Sequence, residues 1–532
     1  MNAVKPSQSM LAWLFVWLLF ALGIVARLAP LLDEGGRILS QWPTEDGYLM
    51  LTISRQIGLG HGMSTAGGTM ITNGVQPLAT LLWSLPYALL GGDKVGGVIG
   101  VQLMEFVIAC LSAWALYRLA LRLLPVAAGR DPRWLPALAT GLWFASAQCV
   151  PNSMNTLETG LYVLMVLVMA NLLLQPDNLK ARWSVPRSLA AGVLLGLVFL
   201  SRNDGAFFIL ACCLTYLFMG WQGRWSMARQ RLPQVLLFGL ISVLMAVPWL
   251  IFNYTAFGHI MPISGISEGM SAHFGGNIND LPQVLVEAFL VILPIPEKLQ
   301  KLPVVAGVCW VLVSLFAGLV LLIWQRANAL QHSALLLISI YLLLLSGFYG
   351  LYFGAPHFML RYLFPTTPFI ALFSVMVCVH CLDVLAHRGL PLHVPAALAV
   401  IALVGVLNGR LYQMGAVHPH HQTVDWVNAH VSEQTWIGAV QTGYLGYFHD
   451  RTLNLDGKVS FAALQARQRE EREGHAGALQ RYVINDTEIE YLVDWNGLSL
   501  WMQLPIMKQH FRTLVDDPAA NLTVLQRLPV QP

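Results

Sequence analysis

Residues 11–32 read LAWLFVWLLFALGIVARLAPLL. A membrane-spanning helix needs about 20 mostly apolar residues, and this run supplies them. It is longer than a typical signal-peptide core and has no small-residue cleavage site, so it reads as a retained helix. The same pattern recurs near 98–123, 134–150, 157–174, 188–202, 205–221, 234–253, 303–325, 333–354, 360–386 and 391–411, which makes eleven expected spans. Two further apolar stretches, 77–91 and 284–296, are shorter and rich in Pro and Gly, and read as interfacial or re-entrant. Composition agrees. Of the 532 residues, 56% are hydrophobic and 11% charged, against roughly 25% charged in a soluble domain. The mean hydropathy is +0.60. So little charge cannot coat a soluble body of this size, whereas lipid accepts an apolar exterior. The net charge of +3 argues against nucleic-acid binding. The seven cysteines all fall in apolar stretches, with neither a disulfide framework nor metal spacing.

The basic residues set the expected orientation. Arg118, Arg122, Arg130 and Arg133 flank one turn, Lys180, Arg182 and Arg187 a second, and Arg224, Arg229 and Arg231 a third. Arg326, His387 and Arg388 mark two more. If 77–91 does not cross, all of these share a side with Lys5, which is then the cytoplasm. The expectation is a bacterial inner-membrane protein, N-terminus inside. Outside lie a first loop of 33–97, short turns near 151–156, 203 and 355–359, a loop near 254–302, and the tail. Residues 1–411 form the membrane domain and 412–532 a periplasmic α/β domain, far more polar than what precedes it. In the tail, Thr435–Val440, Thr452–Leu455, Tyr491–Val493 and Leu522–Leu525 read as strands. Val424–Val431 and Phe461–Arg472 read as helices. This tail either recognises an acceptor or caps an active site.

Candidate chemistry gathers on the outer face. Thr44-Glu45-Asp46-Gly47-Tyr48 puts two adjacent carboxylates just beyond the first span. One can take a hydroxyl proton, and another can hold a hard divalent cation. The plain alternative is a solvated acidic pair. Tyr48–Arg55 reads as an amphipathic helix lying on the membrane, stopped by Gly58-Leu59-Gly60-His61-Gly62. Glu158 opens the fourth span, where a carboxylate also simply favours a helix N-terminus. Ser201-Arg202-Asn203-Asp204-Gly205 is a tight outer hairpin. Its Arg–Asp pair is a structural tie, or it presents a guanidinium to a phosphate. His357-Phe358-Met359-Leu360-Arg361-Tyr362 places Arg361 at the mouth of a span, as an interfacial anchor or a phosphate ligand. Glu105 lies about two turns into the second span, where a bare charge costs roughly 2.5–3.5 kcal/mol; it faces a cavity or is protonated. The 254–302 loop reads as a lid carrying His259 and His273, which lack metal-ligand spacing. Gly438, Gly443 and Gly446 read as a tight strand-to-helix turn rather than a nucleotide loop.

Taken in order, these segments resemble the GT-C superfamily of integral-membrane glycosyltransferases. Glu45-Asp46-Gly47-Tyr48 through Arg55 and Gly60-His61-Gly62 is similar to the catalytic first loop of that superfamily, and Thr72-Asn73-Gly74-Val75-Gln76-Pro77-Leu78 to the segment after it. Leu157-Glu158-Thr159 resembles the second acidic motif and Arg202-Asn203-Asp204-Gly205 the Arg-x-Asp hairpin. Asn253–Gly258 with Pro262–Gly265, Arg361-Tyr362 with Pro365, and in the tail Gly443–Tyr447 and Leu455-Asp456-Gly457 also match. The nearest branch is the arabinofuranosyltransferases of cell-envelope polysaccharides and pilins, which usually show Asp-Asp where this chain has Glu45-Asp46.

The resemblance implies a polyprenyl-phosphate sugar donor, Asp46 as general base with Glu45 beside it, and inversion at the anomeric carbon. It implies a donor phosphate met by Arg361 and Arg202, with Arg55 and His357 as further candidates. A magnesium, manganese or calcium ion near Glu158 and Glu45 is a further expectation. Asp204, Glu105 and His259 complete the candidate set. The acceptor is a polysaccharide, a protein such as a pilin, or a lipid, and membrane lipids surround the whole. The main rival, a lipid-linked sugar transporter or flippase, would place its ionisable groups near the midplane and show related halves; no repeat is visible here.

Overall fold

The computed structural model describes residues 6–33, 36–125, 131–219, 225–292, 302–325, 327–353, 359–473 and 477–529. Helices form over all eleven apolar stretches. Six among the described residues are long and apolar enough to cross a membrane: Met10–Leu32, Lys94–Leu123, Ser226–Phe257, Ala329–Leu351, Leu360–His387 and His393–Met414. They leave rows of large apolar side chains open, such as Leu236, Leu240, Val243 and Leu244 on one helix. Such rows suit lipid and not water. The helices Trp134–Ala145, Thr159–Leu173, Val185–Ser201 and Gly205–Phe218 are shorter, at 12 to 17 residues. The first two are buried nearly all round, with Leu135–Ala145 enclosed without a break. Interior helices meet protein rather than lipid, so burial and not length keeps them in place. The chain is thus a polytopic helical membrane protein with a sheet domain at its C-terminal end.

The two weaker apolar stretches become short helices, Pro77–Leu89 and Leu281–Phe289; 293–296 lies outside the described residues. The first carboxylates do not sit in a loop. They open a helix, Glu45–Gly58, capped by Thr44, whose Oγ1 accepts the Gly47 N–H at 3.1 Å. That helix was expected to lie on the membrane with one polar face. Instead Gly47 through Ser54 are all buried. Tyr48 is enclosed by Tyr444, Tyr447 and Phe448 of the tail, and the Gly58 turn packs on the backbone of Ser84 and Ala88. The helix is therefore a buried wedge between tail and bundle, which explains its continuous YLMLTI run.

The tail holds a five-stranded sheet in the order Thr452–Asn454, Ile437–Ala439, Tyr491–Asp494, Leu522–Arg527 and Phe511–Asp517. A separate two-stranded ribbon, β1 (Ser64–Thr65) and β2 (Met70–Ile71), lies between the first two long apolar helices. In the sheet, β3 (Ile437–Ala439) runs parallel to β4 (Thr452–Asn454) and β5 (Tyr491–Asp494). Strands β7 (Leu522–Arg527) and β6 (Phe511–Asp517) add on antiparallel. Alternation decides the two faces: Leu492 and Leu525 enter one core, Val493 and Val524 the other. Strand β6 is absent from the sequence reading because it is an edge strand whose residues after Phe511 are mostly exposed; without a buried face there is no period-two signal.

Candidate functional site

Consecutive residues of an α-helix project about 100° apart, so Glu45 and Asp46 face different surroundings. Glu45 turns to the tail. Its carboxylate accepts the backbone N–H groups of Gly443, in a very short contact, and of Tyr444 at 3.0 Å. These are the first N–H groups of the helix Gly443–Phe448. Gly443 has to be glycine, because a Cβ there would overlap the Glu45 backbone carbonyl. Burial pushes the Glu45 carboxyl up to about 7, although the two N–H groups oppose it. Glu45 is a tie between domains and does not line the cavity described next.

Asp46 turns inward, to a cavity of about 290 Å³. Its ionic lining is Asp46, Glu158, Arg202, Asp204, Glu268, Arg361 and Lys458. The lining also carries an aromatic set, Phe207, Phe348, Tyr349, Phe353 and Tyr362, which touches the ionic one: the Arg202 and Arg361 guanidinium groups lie 5.6 and 5.7 Å from the Tyr362 ring centre. Tyr349 and Tyr362 stack at 3.9 Å. Segments that lie far apart in sequence, and that charge patterning put on one face, thus meet at one cavity.

Each oxygen of Asp46 faces a cation. Arg361 Nη1 donates to Oδ2 at 3.1 Å, and Lys458 Nζ is 3.6 Å from Oδ1. Burial alone would raise the Asp46 carboxyl, but Lys458 and Arg361 outweigh it and hold Asp46 below the usual carboxylate range. Lys458 also reaches Glu268 at 3.0 Å. Burial works against its charge, and Asp46, Asp456 and Glu268 more than offset that, so it stays protonated. Lys458 follows β4, and its backbone carbonyl presses on Gly74, where any Cβ would collide. Glu268 stands on the short helix Ile263–Gly269, which is bonded to the tail through Ser267 Oγ to the Asp456 carbonyl at 2.9 Å.

Arg202 is tied within its own hairpin. It grips Asp204 bidentately, at 3.1 and 2.6 Å, with Glu158 at 3.8 Å. Its Nη1 donates to the Arg361 carbonyl at 3.3 Å, and Tyr349 OH donates to Asp204 at 2.9 Å. Only 4% of Arg202 is exposed. It lines the cavity, but Asp204 and Glu158 neutralise it there, and it ties the hairpin to the Arg361 backbone. Glu105 is buried under the turn that leads to Glu158: Gln102 donates to Glu105 at 3.1 Å and to the Met154 carbonyl at 2.8 Å. Two residues after Met154, Thr156 holds a left-handed φ of 59°, and Glu158 follows.

Several expected site residues lie elsewhere. Arg55 donates to Asp450 at 3.0 Å and to the Gly92 carbonyl at 2.7 Å, away from the cavity. Its charge is taken up by Asp450 of the tail. His259 is exposed and does not line the cavity. His357 lies outside the described residues. The metal expectation meets a poor donor set. Glu45 is turned away, Glu158 adjoins the Arg202 guanidinium, and among the described residues no three His, Cys, Asp or Glu side chains are grouped to hold an ion. The carboxylates that line the cavity, Asp46, Glu158, Asp204 and Glu268, each pair with Arg202, Arg361 or Lys458. The residue missed in the sequence is Lys458. Its signal is a lysine directly after the Leu455-Asp456-Gly457 turn that ends a tail strand.

A family model described as "Domain of unknown function (DUF8728)" matches residues 408–523. No curated protein matches the chain. Among solved structures, the chain is similar to ArnT from Cupriavidus metallidurans bound to undecaprenyl phosphate, with a TM-score of 0.56 and 13% identity, covering 98% of this chain and 99% of that one. The apo state of the same protein gives 0.54 at 13% identity, with 98% of each chain covered. The archaeal oligosaccharyltransferase AglB from Archaeoglobus fulgidus, in complex with an inhibitory peptide and a dolichol-phosphate, gives 0.54 at 11% identity, covering 99% of this chain and 76% of that one. At such identities the likeness is one of fold: the chain shares the polytopic helical architecture of these proteins.

Proposed function

We propose that the protein is a glycosyltransferase that moves a single sugar from a polyprenyl-phosphate donor to an acceptor hydroxyl, with D-arabinofuranose the sugar to test first. The observation that carries this reading is the mixed lining of the cavity. An ionic set with Asp46, Arg361 and Lys458 adjoins an aromatic set, and a lipid phosphodiester has a charged head joined to an apolar chain. The similarity in fold to a protein solved with undecaprenyl phosphate and to one solved with a dolichol-phosphate supports the same donor class. The lipid carrier also suits the periplasmic face of a bacterial inner membrane, where a nucleotide sugar is not at hand.

In this reading Asp46 takes the acceptor hydroxyl's proton as general base. The hydroxyl oxygen attacks the anomeric carbon from the face opposite the phosphate, so configuration inverts. The anomeric C–O bond breaks and its electron pair stays on the phosphate oxygen, which turns a phosphodiester into a monoester with one more negative charge. Preorganised cations stabilise that charge best in a water-poor site, and Arg361 and Lys458 are cations that face the cavity. No step here uses a divalent metal, since the donor set does not fit one.

The test is transfer by purified, reconstituted protein from a panel of short polyprenyl-phosphate sugars to native envelope or pilin extract, read by product mass. The expected result is one added sugar, with turnover lowered by about 10²–10⁴-fold in Asp46→Asn. Addition of a whole glycan, or donor movement across liposomes with no product, would overturn the reading.

A further inference from the structure

The base sits in an awkward place. Both Asp46 oxygens face cations, Arg361 at 3.1 Å and Lys458 at 3.6 Å, so a hydroxyl that approaches must compete with an ion pair. The same two cations are the ones a donor phosphate needs. Arg202 cannot be redeployed: Asp204 and Glu158 hold it, and it is buried. Arg361 and Lys458 keep 22% and 20% of their side chains exposed, and both line the cavity.

Resting on the transferase reading, we propose that the donor's phosphate unlatches the base: it draws Arg361 and Lys458 off Asp46 and so uncovers the carboxylate for the acceptor. Lys458 is suited to the exchange. It is a compact charge on a flexible four-carbon stem, and Glu268 at 3.0 Å stays beside it in either position. Arg361 is steered by its carbonyl contact with Arg202, so its head can turn while its backbone stays. The other charged groups around Asp46 are Glu45 on its own helix, Asp456 on the tail, Glu158 and Asp204 with Arg202 on the bundle hairpins, and Glu268 on the short outer helix. Most are acids, so it is Arg361 and Lys458 that hold Asp46 down. Donor binding therefore precedes productive acceptor binding, and the carboxylate becomes a stronger base only when there is a sugar to transfer.

An opposite charge at contact lowers a carboxyl's pKa by roughly 1–3. The acid limb of the pH–rate profile should thus lie at least about one pH unit higher for the acceptor at saturating donor than for kcat/KM of the donor. Lys458→Gln should bring the two limbs together by raising the donor one, and Lys458→Arg should keep them apart. A second readout needs no turnover. A short polyprenyl methyl phosphodiester, which does not titrate in this range, should bind the full-length protein with proton uptake near pH 5, measured calorimetrically in two buffers. Asp46→Asn should abolish that uptake. Coincident limbs in the wild type, limbs unmoved by Lys458→Gln, or uptake that persists in Asp46→Asn would each overturn the proposal while the transferase reading stands. If no sugar is transferred from any donor, it is the transferase reading that fails.

Discussion

Glu45 makes the docking of the tail depend on pH. Its carboxyl is raised from the usual 4.5 to about 7, chiefly by burial. At roughly 1.4 kcal/mol per tenfold change in proton affinity, that is on the order of 3 kcal/mol. The folded state binds the proton more tightly than the unfolded chain. The stabilisation is therefore complete below 4.5 and is lost as pH rises through about 7. Asp494 acts in the same sense. Burial pushes it up to about 7, and it accepts the Val440 and Gln441 N–H groups at 2.5 and 3.1 Å. Both carboxyls brace the loop that enters the Gly443–Phe448 helix. The assay is hydrogen exchange with mass spectrometry on the reconstituted protein, at pH 5 and 8.5, corrected for intrinsic rates. Peptides spanning 440–448 and 45–58 should lose roughly a hundredfold of protection per carboxyl at the higher pH. Glu45→Gln, which keeps one acceptor oxygen and cannot ionise, should remove about half of the pH dependence. Protection that is equal at both pH values, or a pH dependence unchanged in Glu45→Gln, would refute the assignment of Glu45 as the docking tie.

Arg202→Ala leaves Asp204 and Glu158 without their buried cation and should cost about 3–5 kcal/mol of stability; a shift in denaturant midpoint worth under 1 kcal/mol would show that the pair is solvated. Gly443→Ala forces a Cβ into the Glu45 carbonyl, and should expose the 440–448 segment to proteolysis and lower transfer at least tenfold, whereas normal turnover would mean that the junction is loose. A chelator should leave transfer unchanged within twofold, and a loss restored by magnesium, manganese or calcium would return a metal to the site.

The fold was legible because span length and charge placement are local signals. Eleven apolar runs and a polar tail can be counted without knowing what packs on what. The charges that loop patterning grouped together also meet in space, since Asp46, Glu158, Arg202, Asp204 and Arg361 line one cavity. What the sequence could not carry was direction. Glu45 and Asp46 are neighbours in the chain, and nothing local says that one points to the tail and the other to the cavity. That follows from where the helix starts, and a wedge buried on every side shows no apolar–polar period to mark its start. Arg55 looked like Arg361 in every local respect, yet one is taken up by Asp450 and the other faces the cavity. Lys458 was invisible for a related reason. Its role depends on the contact with Gly74, nearly four hundred positions earlier in the chain.

That contact bears on what the tail is for. In open α/β sheets ligands bind beyond the carboxyl ends of parallel strands. Here those ends are not free. The loop after β3 supplies Gly443 and Tyr444 to Glu45, and the loop after β4 supplies Lys458 to Asp46. The edge that would serve a separate ligand is instead docked on the helix that carries Asp46. The tail therefore completes the cavity rather than presenting a second site on that edge. Any acceptor recognition by the tail has to use surface away from these loops. A tail that is detached but folded should then lower transfer even to a small soluble acceptor, because what is lost is the lysine and not only a docking surface.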